Sequence, residues 1–520
     1  MRNGLALLLA AACCAQAAQR FDVVVYGATA GGTIAAIAAA RQGVRVALLD
    51  PGRHAGGMLT GGLGRTDMDR QENVIGGLSR EFFERVGKHY GKPISWLFEP
   101  SVAERVLNAW LKEAGVQVIF NQRLASAEKR AGRIVRLRTT AGEDFEAAVF
   151  IDSSYEGDLM KAAGVSYAVG RDSRSLYNES LAGRQEFLPG SHQFRIAVPA
   201  LSADGKLLPY IQPQDALEDT GMGGRKFQSY CFRICLTRNP SNRLPLPRPE
   251  GYDPARFELA RAYLQALGDS ARLGDFTGIS LLPNDKTDIN SGGAVSTDLP
   301  GASWEYPEAT YERRQQIWAE HLTWAQGLFY FLGNDPAVPE SLRAQMNQWG
   351  LAKDEFVDTG HWPHQLYIRE GRRMLGEYVL TQHDLQENRH KDDSVGMGGY
   401  NIDIREVQWV AHDVYHFPAV RKEVFMEGYL SMPVEPYDIP FRALLPKRGQ
   451  CENLLVTSCI SASSVAYASF RMEPQYMIAG HAAGVAAAQT VKSHTALRRI
   501  DMRRLQQELR RQKQIVSLPR

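Results

Sequence analysis

Phe21-Asp22-Val23-Val24-Val25-Tyr26-Gly27-Ala28-Thr29-Ala30-Gly31-Gly32, then a run of small residues, then Val44-Arg45-Val46-Ala47-Leu48-Leu49-Asp50, decides the fold of this chain. Two short, continuous apolar runs flank a stretch rich in alanine, which reads as a buried strand, a glycine turn, a helix and a second buried strand. Gly27 ends the first strand where the chain turns tightly. Gly31 and Gly32 open the helix, where a side chain would hold off a phosphate or the neighbouring strand. The helix start offers unpaired N–H groups and a partial positive charge to a pyrophosphate. Ala35, Ala36, Ala38, Ala39 and Ala40 let the helix lie close to the sheet. Asp50 falls about twenty residues on, where a carboxylate accepts from a ribose hydroxyl and repels a 2′-phosphate, which disfavours NADP. Thr29 stands where the middle glycine of GxGxxG would be. The unit is a dinucleotide site, so a cofactor carries the chemistry.

Working outward, Gly56-Gly57-Met58-Leu59-Thr60-Gly61-Gly62 reads as backbone laid against a flat ligand. Residues 101–114 have helical spacing, and 116–120 is a further buried strand. Residues 124–128, 134–139 and 145–151 read as a three-strand meander running into Ile151-Asp152-Ser153-Ser154-Tyr155-Glu156-Gly157-Asp158. That order is the plan of the large flavoprotein fold, and a nicotinamide enzyme has no need of the meander. Spacing predicts helices within 308–330 and 366–389, and strands at 227–236 and 400–405. Residues 453–459 return to a buried strand. Glu473-Pro474 then opens a second small-residue helix, with proline in its first turn, and 502–513 reads as a polar surface helix.

A chain of 520 residues has room for two or three domains. The division expected is a leader over 1–18, a cofactor domain over 19–190 and 436–495, a substrate domain over 191–435 and a C-terminal helix over 496–520. The leader has Arg2, an apolar stretch from Leu5 to Cys14 and small residues at Ala15-Gln16-Ala17-Ala18, which reads as a secretory signal and predicts a periplasmic or secreted protein. Cys13 and Cys14 offer a weak lipoprotein match. No later segment looks transmembrane. A net charge of +2 leaves no pull toward nucleic acid. Cys231, Cys235, Cys451 and Cys459 follow the leader. Four residues of strand separate the first two by about 13 Å, too far for a disulfide. There is no C-x-x-C pair and no zinc spacing, so no metal is expected.

Several segments together resemble the bacterial FAD-dependent oxidoreductases of the FAD_oxidored family, relatives of the glutathione-reductase and fumarate-reductase flavoproteins that also go by the label xanthan lyase. They are 25–32, 56–60 with Thr66-Asp67, 150–158, Gly170-Arg171, 228–237, 282–298, 372–385, 394–404 and 454–488. The resemblance implies an α/β fold: an FAD-binding Rossmann-like domain of glutathione-reductase type with its β-meander, plus an inserted α+β substrate domain. It implies FAD held by Gly27, Gly31, Gly32 and Asp50, with Gly56, Gly57, Met58 and Asp152 along the cofactor and Arg471 to Glu473 near the flavin ring. His54 precedes a Gly-Gly pair, as in relatives that attach flavin covalently, but at a shorter spacing.

Hydride transfer needs a group to take or give the substrate's proton. The richest polar stretch is His361-Trp362-Pro363-His364-Gln365-Leu366-Tyr367-Ile368-Arg369-Glu370-Gly371-Arg372-Arg373. His364 is the expected acid or base, and Arg369 and Arg471 are the expected anchors for an anionic substrate or the reduced ring. His383 and His412 are weaker candidates. Asn401, Asp403 and Arg405 alternate along one strand face as a pocket wall, and Cys459 follows the last buried strand. The function expected is hydride transfer between FAD and a small organic molecule, a sugar derivative or organic acid, with an electron acceptor of unspecified class. The alternatives are a carbohydrate-binding or polysaccharide-lyase protein without redox activity, and a nicotinamide dehydrogenase.

Overall fold

Val23, Val24 and Val25 have no exposed surface, because the strand that carries them is covered on both faces. A computed structural model describes residues 17–68, 71–190, 192–387 and 389–518. The leader expected over 1–18 lies almost wholly outside these residues. Strand β1 (Gln19–Tyr26) leads through helix α1 (Ala30–Arg41) to β2 (Val46–Leu49). Helices α2 (Gly77–His89) and α3 (Pro100–Glu113) precede β3 (Gln117–Ile119). The meander follows as β4 (Leu124–Arg130), β5 (Arg133–Thr139) and β6 (Asp144–Asp152).

These strands form one seven-stranded sheet in the order β3-β2-β1-β6-β5-β4, with the late strand Leu454–Val456 also on β6. β1 runs parallel to β2 and β6, with Val23 opposite both Val46 and Val149. The N-terminal end of β6 pairs antiparallel with β5, and its C-terminal end pairs parallel with Leu454–Val456. A parallel sheet closed by a meander and completed by a strand from the far end of the chain is the architecture the sequence predicts.

The closing helix Glu473–Ser493 lies across α1 at a separation that only small residues allow. A Cβ on Gly480 would stand 2.1 Å from the Gly31 carbonyl oxygen, and one on Gly484 would stand 2.2 Å from that of Ala35.

Between β6 and Leu454 the chain builds smaller sheets, among them a five-stranded one, and the long helix Tyr311–Asn334. Here two expectations need correction. Residues 227–236 do not make a strand: only Leu236–Thr237 is one, and Cys231 and Ile234 form isolated bridges. Residues 366–389 hold the expected helix only as the five residues Gln382–Gln386, after a two-residue strand, Arg373–Met374. The side chains of Arg369, Arg372 and Arg373 are buried in ion pairs with distant carboxylates, and those pairs override helical spacing.

Candidate active site

The turn after β1 is fixed sterically. Gly27 has φ +95°, and a Cβ there would stand 2.5 Å from the Ser154 nitrogen. A Cβ on Gly32 would fall 1.9 Å from the Gly27 oxygen. Gly31 serves the helix contact, since its Cβ would meet the Tyr476 oxygen at 2.9 Å. Thr29 caps α1: its Oγ1 accepts from the Gly32 N–H at 3.2 Å and donates to the Ser153 carbonyl at 2.8 Å. The departure from GxGxxG therefore ties the helix start to the end of β6. Asp50 reaches back to the same turn, accepting from the Ala28 N–H at 2.6 Å and the Gly52 N–H at 2.7 Å. Burial pushes its carboxyl up to about 6 against the pull of those two donors.

Two more expected residues, Met58 and Glu473, are joined through Tyr155 in one chain of hydrogen bonds. The Met58 N–H donates to the Tyr155 hydroxyl at 2.9 Å, and that hydroxyl donates to Glu473 Oε1 at 2.7 Å. Gly57 sits beneath it, where a Cβ would stand 2.3 Å from the Tyr155 oxygen, and Gly56 turns at φ +105°. Glu473 Oε2 is buried with no hydrogen-bond partner among the described residues. Burial pushes this carboxyl up to about 8, opposed only by the Tyr155 bond. Asp152 is a turn former. It accepts from the Ser154 N–H and hydroxyl and from the Met160 N–H, and so shapes the segment Ser154–Asp158.

That segment, the β1 turn and the loop after β2 border a cavity of about 450 Å³, lined by Gly27, Thr29, Asp50, His54 and Tyr155 together with Trp318, Trp362, His364 and Gln365. Of the expected site residues, the structure brings Gly27, Asp50 and His364 together on the cavity wall. His54 joins them, its ring stacked on that of His364 with centroids 3.7 Å apart. Both nitrogens of His54 face carboxylates, Glu104 at 2.8 Å and Asp358 at 3.1 Å, an arrangement that leaves neither free to bond a flavin. The hydrogen bond to Glu104 raises its pKa. Burial and the neighbouring His54 charge push His364 down to about 3. His364 is therefore neutral near neutral pH.

Arg369 and Arg471 lie away from the cavity wall. Arg369 pairs with Asp298 at 2.7 Å and bonds the Ser229 carbonyl. Arg471 pairs with Asp403 at 2.6 Å and donates to the Tyr367 hydroxyl at 3.0 Å. The two guanidinium groups stand over the Tyr367 ring, at 4.7 and 5.9 Å. They brace one tyrosine, with charges satisfied by acids that the sequence does not mark as neighbours. Arg405 faces Asp298 and Glu406, Asn401 bonds Ser431, and His383 pairs with Glu387. His412 packs edge-on against Phe187. The Cys459 thiol donates to the Tyr155 carbonyl, and burial raises its pKa. Tyr155 and Thr29 are functional positions that residue-type reasoning passed over; their spacing from the Asp152 turn and from Gly27 is the signal that marks them. Glu99, Asp354 and Glu355 gather their carboxylates as a metal site would, but Lys286 Nζ sits among them at 2.6, 2.8 and 2.6 Å.

The parallel sheet, the glycine turn against α1, the carboxylate ending β2 and the meander define a dinucleotide-binding flavoprotein fold. Residues 22–509 match the family described as FAD dependent oxidoreductase. The chain belongs to that family, and FAD is its cofactor. Among solved structures it is similar to a geranylgeranyl bacteriochlorophyll reductase-like protein of Thermoplasma acidophilum, with 11% identity over 96% of this chain and 85% of that one at a TM-score of 0.35. It is also similar to the myxobacterial chondrochloren halogenase CndH, with 13% identity over 95% and 79% at a TM-score of 0.34. The match to the anhydrotetracycline hydroxylase OxyS of Streptomyces rimosus spans 32% of this chain and 41% of that one, with 14% identity and a TM-score of 0.22.

The residues present fit FAD. Gly27 lines the cavity, and its turn packs so tightly on Ser154 that no side chain fits there. The Asp50 carboxylate lines the cavity, and the Glu473 carboxyl holds an unused oxygen.

Proposed function

We propose that this FAD-dependent oxidoreductase acts on a small organic molecule, a sugar derivative or an organic acid. The supporting observation is the cavity, lined by the β1 turn and Asp50 together with two tryptophans, histidines and a glutamine. Aromatic faces with a few hydrogen-bonding groups suit a hydroxylated molecule. Bound FAD supplies the two-electron acceptor or donor.

The chain's own residues do the rest. The α1 start, shaped by its Thr29 cap, would hold the pyrophosphate, and Asp50 would accept from a ribose hydroxyl. Tyr155, Met58 and Glu473 would help to hold the cofactor. Trp318 and Trp362 would exclude water from the chamber. We divide the chain as the sequence suggests, with a cofactor domain over 19–190 and 436–495 and a substrate domain over 191–435. We assign it to the periplasm or exterior on the leader; no helix among the described residues is long and apolar enough to cross a membrane.

The test is an anaerobic screen. Protein loaded with FAD is mixed with sugars, polyols and organic acids while flavin absorbance is followed. Bleaching by a member of these classes is expected. Bleaching only by NADH, or eliminated sugar products formed without FAD, would support a rival instead.

A further inference from the structure

The long helix Tyr311–Asn334 reaches the cavity with one face. Tyr311, Arg314, Gln315, Trp318 and Leu322 all line it, at the i, i+3, i+4, i+7 and i+11 spacing of a single helical stripe. Arg314 fixes the first turn of this helix: its guanidinium takes both oxygens of Asp158, at 2.8 and 3.1 Å. Asp158 ends the segment that Asp152 shapes, so a helix from the middle of the chain is anchored beside the end of β6.

Tyr311 is the first residue of the helix and keeps 40% of its surface exposed, unlike the core tyrosines. The Arg123 guanidinium stands 4.2 Å from the centre of its ring and 3.5 Å from Glu312. Arg123 also lines the cavity and lies on the turn that runs past Asp50. There the Asn121 N–H donates to the Gly52 carbonyl at 2.9 Å, and the Gln122 N–H donates to the Asp50 carbonyl at 2.8 Å. With the pyrophosphate at the α1 start and the ribose at Asp50, the base of a dinucleotide lies beyond Asp50. The lining continues there through Asn121 and Arg123 to Tyr311. A base presents a flat π face, and an aromatic ring with open surface is what stacks on one.

We propose that Tyr311 and Arg123 form the adenine seat of the chamber: the Tyr311 ring stacks on the base, and Arg123 holds that ring in place through its cation–π contact. The proposal rests on the reading of the cavity as the FAD chamber. Retention of the whole dinucleotide, and preference for FAD over FMN, then depend on a helix that lies outside the strand-turn-helix unit.

The experiment is calorimetric titration of the full chain, freed of flavin, with FAD, ADP and FMN. Wild type should bind FAD and ADP. Tyr311→Ala should weaken both about tenfold, whereas FMN, which lacks the base, should treat the two proteins alike. Tyr311→Phe should match wild type, because the ring and not the hydroxyl does the stacking. Arg123→Gln should weaken FAD and ADP by a smaller factor. Tyr311→Leu, which keeps bulk without a π face, covers an alanine variant that circular dichroism shows to be unfolded. A folded Tyr311→Ala or Tyr311→Leu protein with unchanged FAD and ADP affinity, or one that loses FMN as far as FAD, overturns the proposal. ADP that fails to bind a wild type that takes up FAD overturns it too, and leaves the chamber standing. Wild type that takes up no FAD refutes the reading of the cavity itself.

Discussion

Glu473 is a residue whose chemistry departs far from its type. Its carboxyl meets one donor, Tyr155, and no cation, since Arg471 two residues earlier is engaged by Asp403. Its folded pKa of about 8 lies above the ordinary 4.5. Linkage then has one sign: the protonated form's contribution is complete below pH 4.5 and is lost as pH rises through about 8, at roughly 1.4 kcal/mol per unit. His54 works in the same direction, its raised folded value giving stability that is complete below 6.5 and is lost as pH rises through the folded value. Thermal unfolding of the wild type should therefore fall from mildly acid to alkaline pH. Glu473→Gln, which imitates the neutral acid, should flatten that fall and keep FAD. A parallel slope in the variant, followed by circular dichroism, would show that Glu473 is ionised in the fold.

At the scale of elements, the contact between α1 and the closing helix is the least forgiving. Gly480→Ala drives a methyl toward the Gly31 carbonyl, and overpacking of this kind costs roughly 1–3 kcal/mol. Because Gly31 opens the helix that faces the cofactor, flavin content should fall with the melting temperature. A variant that melts early but keeps full absorbance would separate the two. Lys286 is a second joint, taking Glu99 at the head of α3 and Glu355 from the intervening segment. Lys286→Met leaves buried carboxylates without a cation, at a cost on the order of 3–5 kcal/mol seen in chemical denaturation. Elements built on period and punctuation were legible beforehand: β1, α1, β2, the meander and the closing helix. Residues 366–389 were not, because Arg369, Arg372 and Arg373 look like a solvated face until their partners Asp298, Asp158 and Asp172 arrive from far away in sequence.

For the molecule as a whole, the same distinction governs the site. Gly27, Asp50 and His364 could be named from the chain, the first two from the strand-turn-helix pattern and the third from its polar surroundings. The pairing of His54 with His364 could not, since it depends on how the segment near residue 360 returns over the loop after β2. β6 shows the wider consequence. It accepts β1 from the start of the chain, β5 from the meander and Leu454–Val456 from near the end, while Gly31 waits for Gly480. A nascent chain emerging from the ribosome or a translocon thus exposes a half-built groove until its last segments have arrived. Prosthetic-group capture is then a late event in biogenesis, and early termination yields an empty, sticky intermediate that quality-control proteases can recognise.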